Sequence, residues 1–182
     1  GAADLQLLNT RYGSHIEESE ADMYITLATR RDTVDSINEK KLAELAGEPI
    51  TFEGSIEGDF PESSLPTSQE LVLKPGAQII FIKNDFDRRW VNGTIGIVSG
   101  FDPIEETLYV ITDDGKECDV KRESWRNIRY KYNEEKEQIE EEELGTFTQY
   151  PVRLAWAITV HKSQGLTFSR VVIDFTGGVF AG

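Results

Sequence analysis

The chain has 182 residues, 38% hydrophobic and 29% charged, which suits one soluble domain or a domain carrying a small inserted one. No apolar run reaches the ~18–20 residues that cross a bilayer, so no membrane contact is expected and the compartment read from composition is the cytoplasm. A single Cys118 and only two histidines exclude an internal disulfide and a cysteine-built zinc cage, and no metal site is expected.

In chain order, residues 1–22 are polar, with Leu5, Leu7 and Leu8 as the main apolar anchors, and read as a connecting segment. Met23–Ala28 is a short apolar run of the kind buried in a parallel sheet. Asp32 is placed to cap a helix over Thr33–Ala46, with Val34, Ile37, Leu42 and Leu45 inward and Gly47 just past its end. Pro49, Gly54, Gly58, Pro61 and Pro66 then favour irregular or edge structure up to residue 68. Short strands follow at Ala77–Ile82, Thr94–Ser99, Thr107–Thr112 and Lys116–Lys121. The turn signal Asn92-Gly93 precedes the second, and Asp113-Asp114-Gly115 joins the last two as a tight hairpin. Strands at roughly ten-residue spacing with no helix between them predict a small barrel of SH3 or OB type. Seven glutamates between positions 134 and 143 form a solvated face or hairpin.

Helix-and-strand grammar returns near the end. Leu154, Trp156 and Ile158 alternate with Arg153, Ala155 and Ala157 as along a strand. Thr159 can cap one short helical turn, Gly165 can end it, and Val171–Ile173 supplies the next buried strand. The expected fold class is α/β, a parallel sheet interrupted by the inserted barrel. The expected division is 1–22, 23–68 for the first part of the parallel unit, 69–150 for the insert with its acidic hairpin, and 151–182 for a truncated remainder.

The net charge of −14 opposes nucleic-acid binding, because phosphate contacts need Lys and Arg. Much of the excess sits in the acidic stretch. Arg30, Arg31, Lys83, Arg88, Arg89, Lys121, Arg122, Arg126, Arg129, Lys131, Arg153 and Lys162 remain available for one basic surface. Phe86, Trp90, Trp125, Tyr130 and Tyr132 are interleaved with these cations, as in proteins that stack bases of single strands. A barrel core produces the same mixture and is the favoured reading for Trp125 and Tyr130. Phe86 and Trp90, in a loop, stay open as DNA-binding candidates.

The densest chemistry lies in Thr159-Val160-His161-Lys162-Ser163-Gln164-Gly165, at a strand's carboxyl end, where open α/β sheets place ligands. Thr159, His161 and Ser163 can donate to phosphate oxygens and Lys162 adds charge. Gln164 donates and accepts at once, which suits sensing a terminal phosphate or its attacking water, and Gly165 lets backbone approach closely. A capped surface turn is the structural alternative. The full run from Leu154 to Phe168 favours the functional one, because it resembles the AxAxTxHKSQGxTF segment of superfamily 1 helicases of the Pif/RecD type.

Further segments are similar to that family. Leu27-Ala28-Thr29-Arg30-Arg31, followed by Val34 and Ile37-Asn38, resembles its motif four, which places Thr29, Arg30 and Arg31 toward the DNA or the interdomain cleft; a solvated helix start explains them equally, and Asn38 reads as a structural hydrogen bonder. Pro75–Asp85 with Asn92–Gly96 resembles the start of the family's inserted SH3-like domain, and Gly145–Pro151 its exit. The resemblance implies a second RecA-like domain of the P-loop-NTPase type, partial here, interrupted by an SH3-like β-barrel. It implies an ATP-dependent DNA helicase moving 5′ to 3′, coupling hydrolysis in an interdomain cleft to translocation on single-stranded DNA. Gln164 and Gly165 would serve catalysis, and Thr159, His161, Lys162, Ser163, Thr29, Arg30 and Arg31 would face DNA. ATP and Mg2+ would be used by the parent protein, whose first RecA-like domain is the expected partner, with the molecule acting as a monomer. No GxxxxGK[S/T] loop and no Asp-Glu box occur in these residues, and no later arginine-bearing motif appears, so the chain alone is expected to bind no cofactor and to be inactive. The alternatives are a non-enzymatic nucleic-acid or protein interaction module and a RecD-like exonuclease subunit.

Overall fold

The structure is a computed structural model; it describes residues 23–166 and the backbone of residues 171–174. The expected connecting segment 1–22, the end of the signature run at Thr167 and Phe168, and residues 175–182 lie outside the described residues.

Two kinds of sheet meet in the molecule. Strands β1 (Ile25–Ala28), β12 (Ala157–Thr159) and β13 (Val171–Asp174) form a parallel sheet in the order β12-β1-β13. Thr26 faces Ala157 and Ala28 faces Thr159 on one side of β1, and Ile25 faces Val171 on the other. The two ends of the sequence thus share one sheet, as their apolar runs predict. Helix α1 (Arg31–Glu44) packs on it through Val34 and Ile37 against Ala28 and Ala157. The expected cap is displaced: Arg30 is the N-cap residue without a side-chain cap bond, and Asp32 lies inside the first turn. There the Asp32 carboxylate accepts from Thr33 N at 2.9 Å and pairs with Arg30 at 2.7 Å, a favourable charge for a helix start.

Between these pieces lies an all-β insert. Strands β5 (Gln78–Phe81), β6 (Ile95–Asp102), β7 (Thr107–Thr112) and β8 (Glu117–Val120) run antiparallel, with β11 (Val152–Leu154) added beside β5. Residues 49–58, expected to be irregular or edge, form β2 (Ile50–Glu53) and β3 (Ser55–Gly58); β2 pairs with β4 (Glu70–Leu73), and β3 lies at the edge of a sheet with β9 (Glu123–Asn133) and β10 (Gln138–Gln149). The acidic stretch lies in the β9–β10 hairpin.

No sheet closes on itself, so a closed barrel is not what the backbone forms. β8 and β11 end the five-stranded sheet without pairing to each other. Closure comes from side chains instead. Phe52 of β2 meets Phe101 and Tyr150 edge-to-face, at 4.7 and 5.1 Å between centroids, over a core that includes Leu73, Phe81, Val110 and Val152. Gln149, fully buried, donates from Nε2 to Phe52 O and Gln69 O and binds the β2–β4 connection to β10. Tyr130, expected in a core, stands 67% exposed on the hairpin, while Trp125 is half-buried against Phe147.

A second apolar core joins insert and parallel sheet. Met23, Ile25, Ala155 and Ile158 pack with Ile80, Ile95 and Ile97, and half-buried Leu166 joins them. The expected strand 153–158 is broken in two: β11 belongs to the insert and β12 to the parallel sheet. The buried residues across the break are Ala155, Ala157 and Ile158 rather than Leu154 and Trp156. Gln78 seals the break, its Nε2 donating to Tyr24 O and Ala155 O, both at 2.8 Å.

Candidate functional site

The site is built outward from Ala157. Asn38, buried on α1, donates from Nδ2 to Ala157 O at 3.0 Å and accepts Ala157 N at 2.9 Å. That two-bond clasp holds the first residue of β12, three residues before the signature turn begins at Val160. Helix α2 (Val160–Ser163) is a single turn with Thr159 as its N-cap, Oγ1 accepting from Lys162 N at 3.2 Å. Ser163 Oγ donates to Val160 O at 2.6 Å, and Gly165 closes the turn at φ +80°. Cap and stop agree with the sequence reading, but Gly165 is needed for its backbone angle, since a Cβ there would meet nothing within 4 Å.

The turn sorts the predicted residues. His161, Lys162 and Gln164 present exposed side chains, whereas Thr159 and Ser163 are half-buried and bond within the turn. Ser163 therefore has its proton engaged within the turn. Thr29, following β1 at the same edge of the sheet, carries a buried Oγ1 with no hydrogen-bond partner. Arg30 is tied to Asp32, and Arg31 begins α1 exposed.

The two loop aromatics part company. Phe86 is 95% exposed, whereas Trp90 is 5% exposed and stacked on Phe81 at 4.4 Å, with Nε1 donating to Lys83 O. The expectation that Trp90 binds DNA is corrected: its ring belongs to the insert's core. Asp85, buried in the same loop, accepts from Arg89 Nε at 2.7 Å, and Arg89 also reaches Asp119 at 2.8 Å. The Arg89 guanidinium holds the Asp85 carboxyl below its ordinary range against the opposing effect of burial. Three of the cations available for a basic surface are already paired. Arg89, Arg126 and Arg129 are each neutralised by a carboxylate within 2.6–2.7 Å.

A cleft of about 220 Å³ opens beside the turn, lined by Lys162, Gln164, Leu166 and Ile158 on one side and by Pro66, Ile80, Ile82, Asn92 and Arg153. Insert and signature touch there: a Cβ on Gly93 would come within 2.7 Å of Leu166 Cδ2. Three residues that shape the site were missed as such in the sequence. Gln78 is a polar residue inside an apolar run and Arg153 one cation among many. Gly93 was legible as a turn but not as a contact.

A parallel sheet with a polar turn at its carboxyl edge, sequence-interrupted by an antiparallel insert, defines a mixed α/β protein, and its structural neighbours are RecA-like helicase domains. No family model matches the chain. It is 31% identical over 96% of its length to an ATP-dependent DNA helicase Pif1 of Psychrobacter sp., of which it covers 33%. It is 34% identical over 85% of its length to human ATP-dependent DNA helicase PIF1, covering 23% of it. Among solved structures, Bacteroides Pif1 in complex with ADP-AlF4 matches 95% of this chain at 35% identity and TM-score 0.76, with 39% of that chain covered. Bacteroides Pif1 bound to ssDNA matches 86% at 36% identity and TM-score 0.71, with 35% covered. The chain belongs to the Pif1-type helicases and corresponds to a C-terminal portion of one. It spans between 23% and 37% of the length of curated relatives such as these.

Proposed function

We propose that the chain is part of an ATP-dependent DNA helicase and forms one wall of the cleft between two RecA-like domains. The observation that carries this reading is the signature turn, which presents His161, Lys162 and Gln164 outward at the carboxyl edge of the parallel sheet. Relatives of the same build, solved with ssDNA and with ADP-AlF4, support it.

In this reading Gln164 and Gly165 meet the nucleotide, and Thr159, His161, Lys162, Ser163, Thr29, Arg30, Arg31 and Phe86 meet the single strand. Phosphoryl transfer gains mainly from positioning and charge stabilisation, so a glutamine held on a capped turn can couple cleft closure to hydrolysis. The Asn38 clasp would fix the turn's position during that closure. Magnesium does not fit this chain's own residues: among those described, no three His, Cys, Asp or Glu side chains group as a metal site. Without a GxxxxGK loop in its sequence, the chain by itself is expected to hydrolyse no ATP. Descent of the insert from an SH3-like domain, with side-chain closure replacing the last backbone pairing, belongs to the same proposal, as do 5′ to 3′ movement and a monomeric helicase.

The test is made in the helicase that carries this chain. Gln164→Ala is expected to cut ATP turnover with single-strand affinity nearly unchanged. His161→Ala is expected to weaken DNA binding by about 1–3 kcal/mol, as for a lost charge-assisted contact. If melting temperature, DNA affinity and DNA-free ATPase fall together in both variants, the turn is structural and the proposal fails.

A further inference from the structure

Arg153 sits in the middle of β11, opposite Ile80 of β5, and its side chain lines the cleft beside the signature turn. It is only partly exposed, yet its guanidinium makes no hydrogen bond and no ion pair with any described residue. Lys162, lining the same cleft, has an ammonium equally without a described partner, and so has Arg31 at the start of α1. Carboxylates are not scarce: 33 acidic residues face 19 basic ones. Elsewhere Arg30, Arg89, Arg126 and Arg129 each lie 2.6–2.7 Å from one.

Burial pushes the Arg153 guanidinium below its ordinary range, the like charge of Arg31 adds to this, and Asp35 opposes it. Arginine stays charged in proteins, so its burial without a partner is a standing cost that an incoming anion would relieve. The rest of the lining says what the anion is attached to. Ile80, Ile82, Ile158 and Leu166 give an apolar wall, and Asn92 and Gln164 give amides at its rim. About 220 Å³ is below the ~300–1,000 Å³ of pockets that enclose a whole small molecule. The cleft suits one unit of a larger ligand.

We propose that Arg153 and Lys162 form a phosphate-binding site between the inserted sheet and the signature turn, taking one phosphate of a nucleotide unit whose apolar part rests on Ile80 and Ile158. The proposal rests on the reading that the turn handles nucleic acid and nucleotide. A backbone phosphate of single-stranded DNA and a phosphate of ATP share the required chemistry.

The test uses the helicase that carries this chain, unmodified and as Arg153→Met, Arg153→Lys and His161→Ala. Binding of fluorescein-labelled oligothymidylate is followed by anisotropy across a salt series, binding of ATP by calorimetry, and melting temperature for every variant. Arg153→Met is expected to weaken binding about tenfold, the loss of one charge-assisted contact. For the oligonucleotide it should also lower the slope of log affinity on log salt by about 0.7, the value of one single-strand phosphate. Its melting temperature should be equal or higher, because an uncompensated charge has been removed, and Arg153→Lys should keep part of the affinity. Loss confined to oligothymidylate assigns the phosphate to the strand, and loss confined to ATP assigns it to the nucleotide; either supports the site. Unchanged affinity and slope in Arg153→Met, with His161→Ala impaired, would overturn this site and leave the turn's role standing. Absence of binding to both probes by the unmodified helicase would overturn both. A melting temperature lowered by Arg153→Met would make the residue structural.

Discussion

The insert and the cleft beside the signature turn treat charge in opposite ways. In the insert, Arg89 is fastened to Asp85 and Asp119, Arg126 to Glu143 and Arg129 to Glu142, and Gln149 has its amide saturated. At the carboxyl edge of the parallel sheet, Arg31, Arg153 and Lys162 have no described partner and the buried Thr29 hydroxyl has none either. Native proteins pair nearly all buried polar groups; among the described residues two buried hydroxyls lack a partner, Thr29 at this edge and Ser99 in the insert, and under the proposal above a ligand would complete the first. An acidic chain can serve a polyanion this way, by pairing several of its cations with carboxylates and leaving others, Arg153 and Lys162 among them, unmatched.

The comparison can be broken first at Asn38, a buried polar residue matched on both sides of its amide by Ala157. Asn38→Leu leaves Ala157 N–H and C=O without partners and should cost about 2–4 kcal/mol, read as a lower midpoint in urea. A stable variant would mean the turn is positioned by something other than the clasp. Next in size is Gly93→Ala. Its φ of +102° is unfavourable for alanine and its Cβ would press on Leu166, for about 1–2 kcal/mol of lost stability. If the insert positions the signature, this change should also weaken oligonucleotide binding.

The smallest effect concerns acid. Asp85 has a folded pKa below its ordinary 3.8 because Arg89 hydrogen-bonds to it. Its contribution to stability is present above that ordinary value and is lost as pH falls through the lower folded one. Asp85→Asn should therefore reduce stability at neutral pH and flatten its decline on acidification. Glu142→Gln, on the exposed face, should leave the neutral melting temperature unchanged. Equal losses in the two variants would show that the insert's ion pairs do not differ in kind.

Legibility in the sequence followed the range of the forces involved. Thr159 and Gly165 were readable because a cap and a positive-φ stop are decided within a few residues. The hairpin at Asp113–Gly115 was readable for the same reason. Trp90 was not, since its burial depends on Phe81 arriving beneath it from another segment. The glycines and prolines around β2 and β3 favoured irregular or edge structure, and both are edge strands; their pairing partners β4 and β10, distant in sequence, were not legible. The broken strand at 153–158 kept its apolar alternation, and only Gln78 decides where one sheet hands over to the other. Arg153 carried no local mark at all; its lack of a partner exists only in three dimensions.

That handover has a mechanical consequence. β11 and β12 are successive lengths of one strand, joined through Ala155 and Trp156, and Trp156 O already accepts from Thr26 N of β1 at 2.9 Å. A force pulling the insert along this strand reaches the signature through covalent backbone. It strains the β12–β1 hydrogen bonds in shear, all together, which is the stiff direction of a sheet. A force across the sheet would peel the same bonds one at a time. Tension on the insert is thus delivered to His161 and Gln164 along one axis and dissipated along the other.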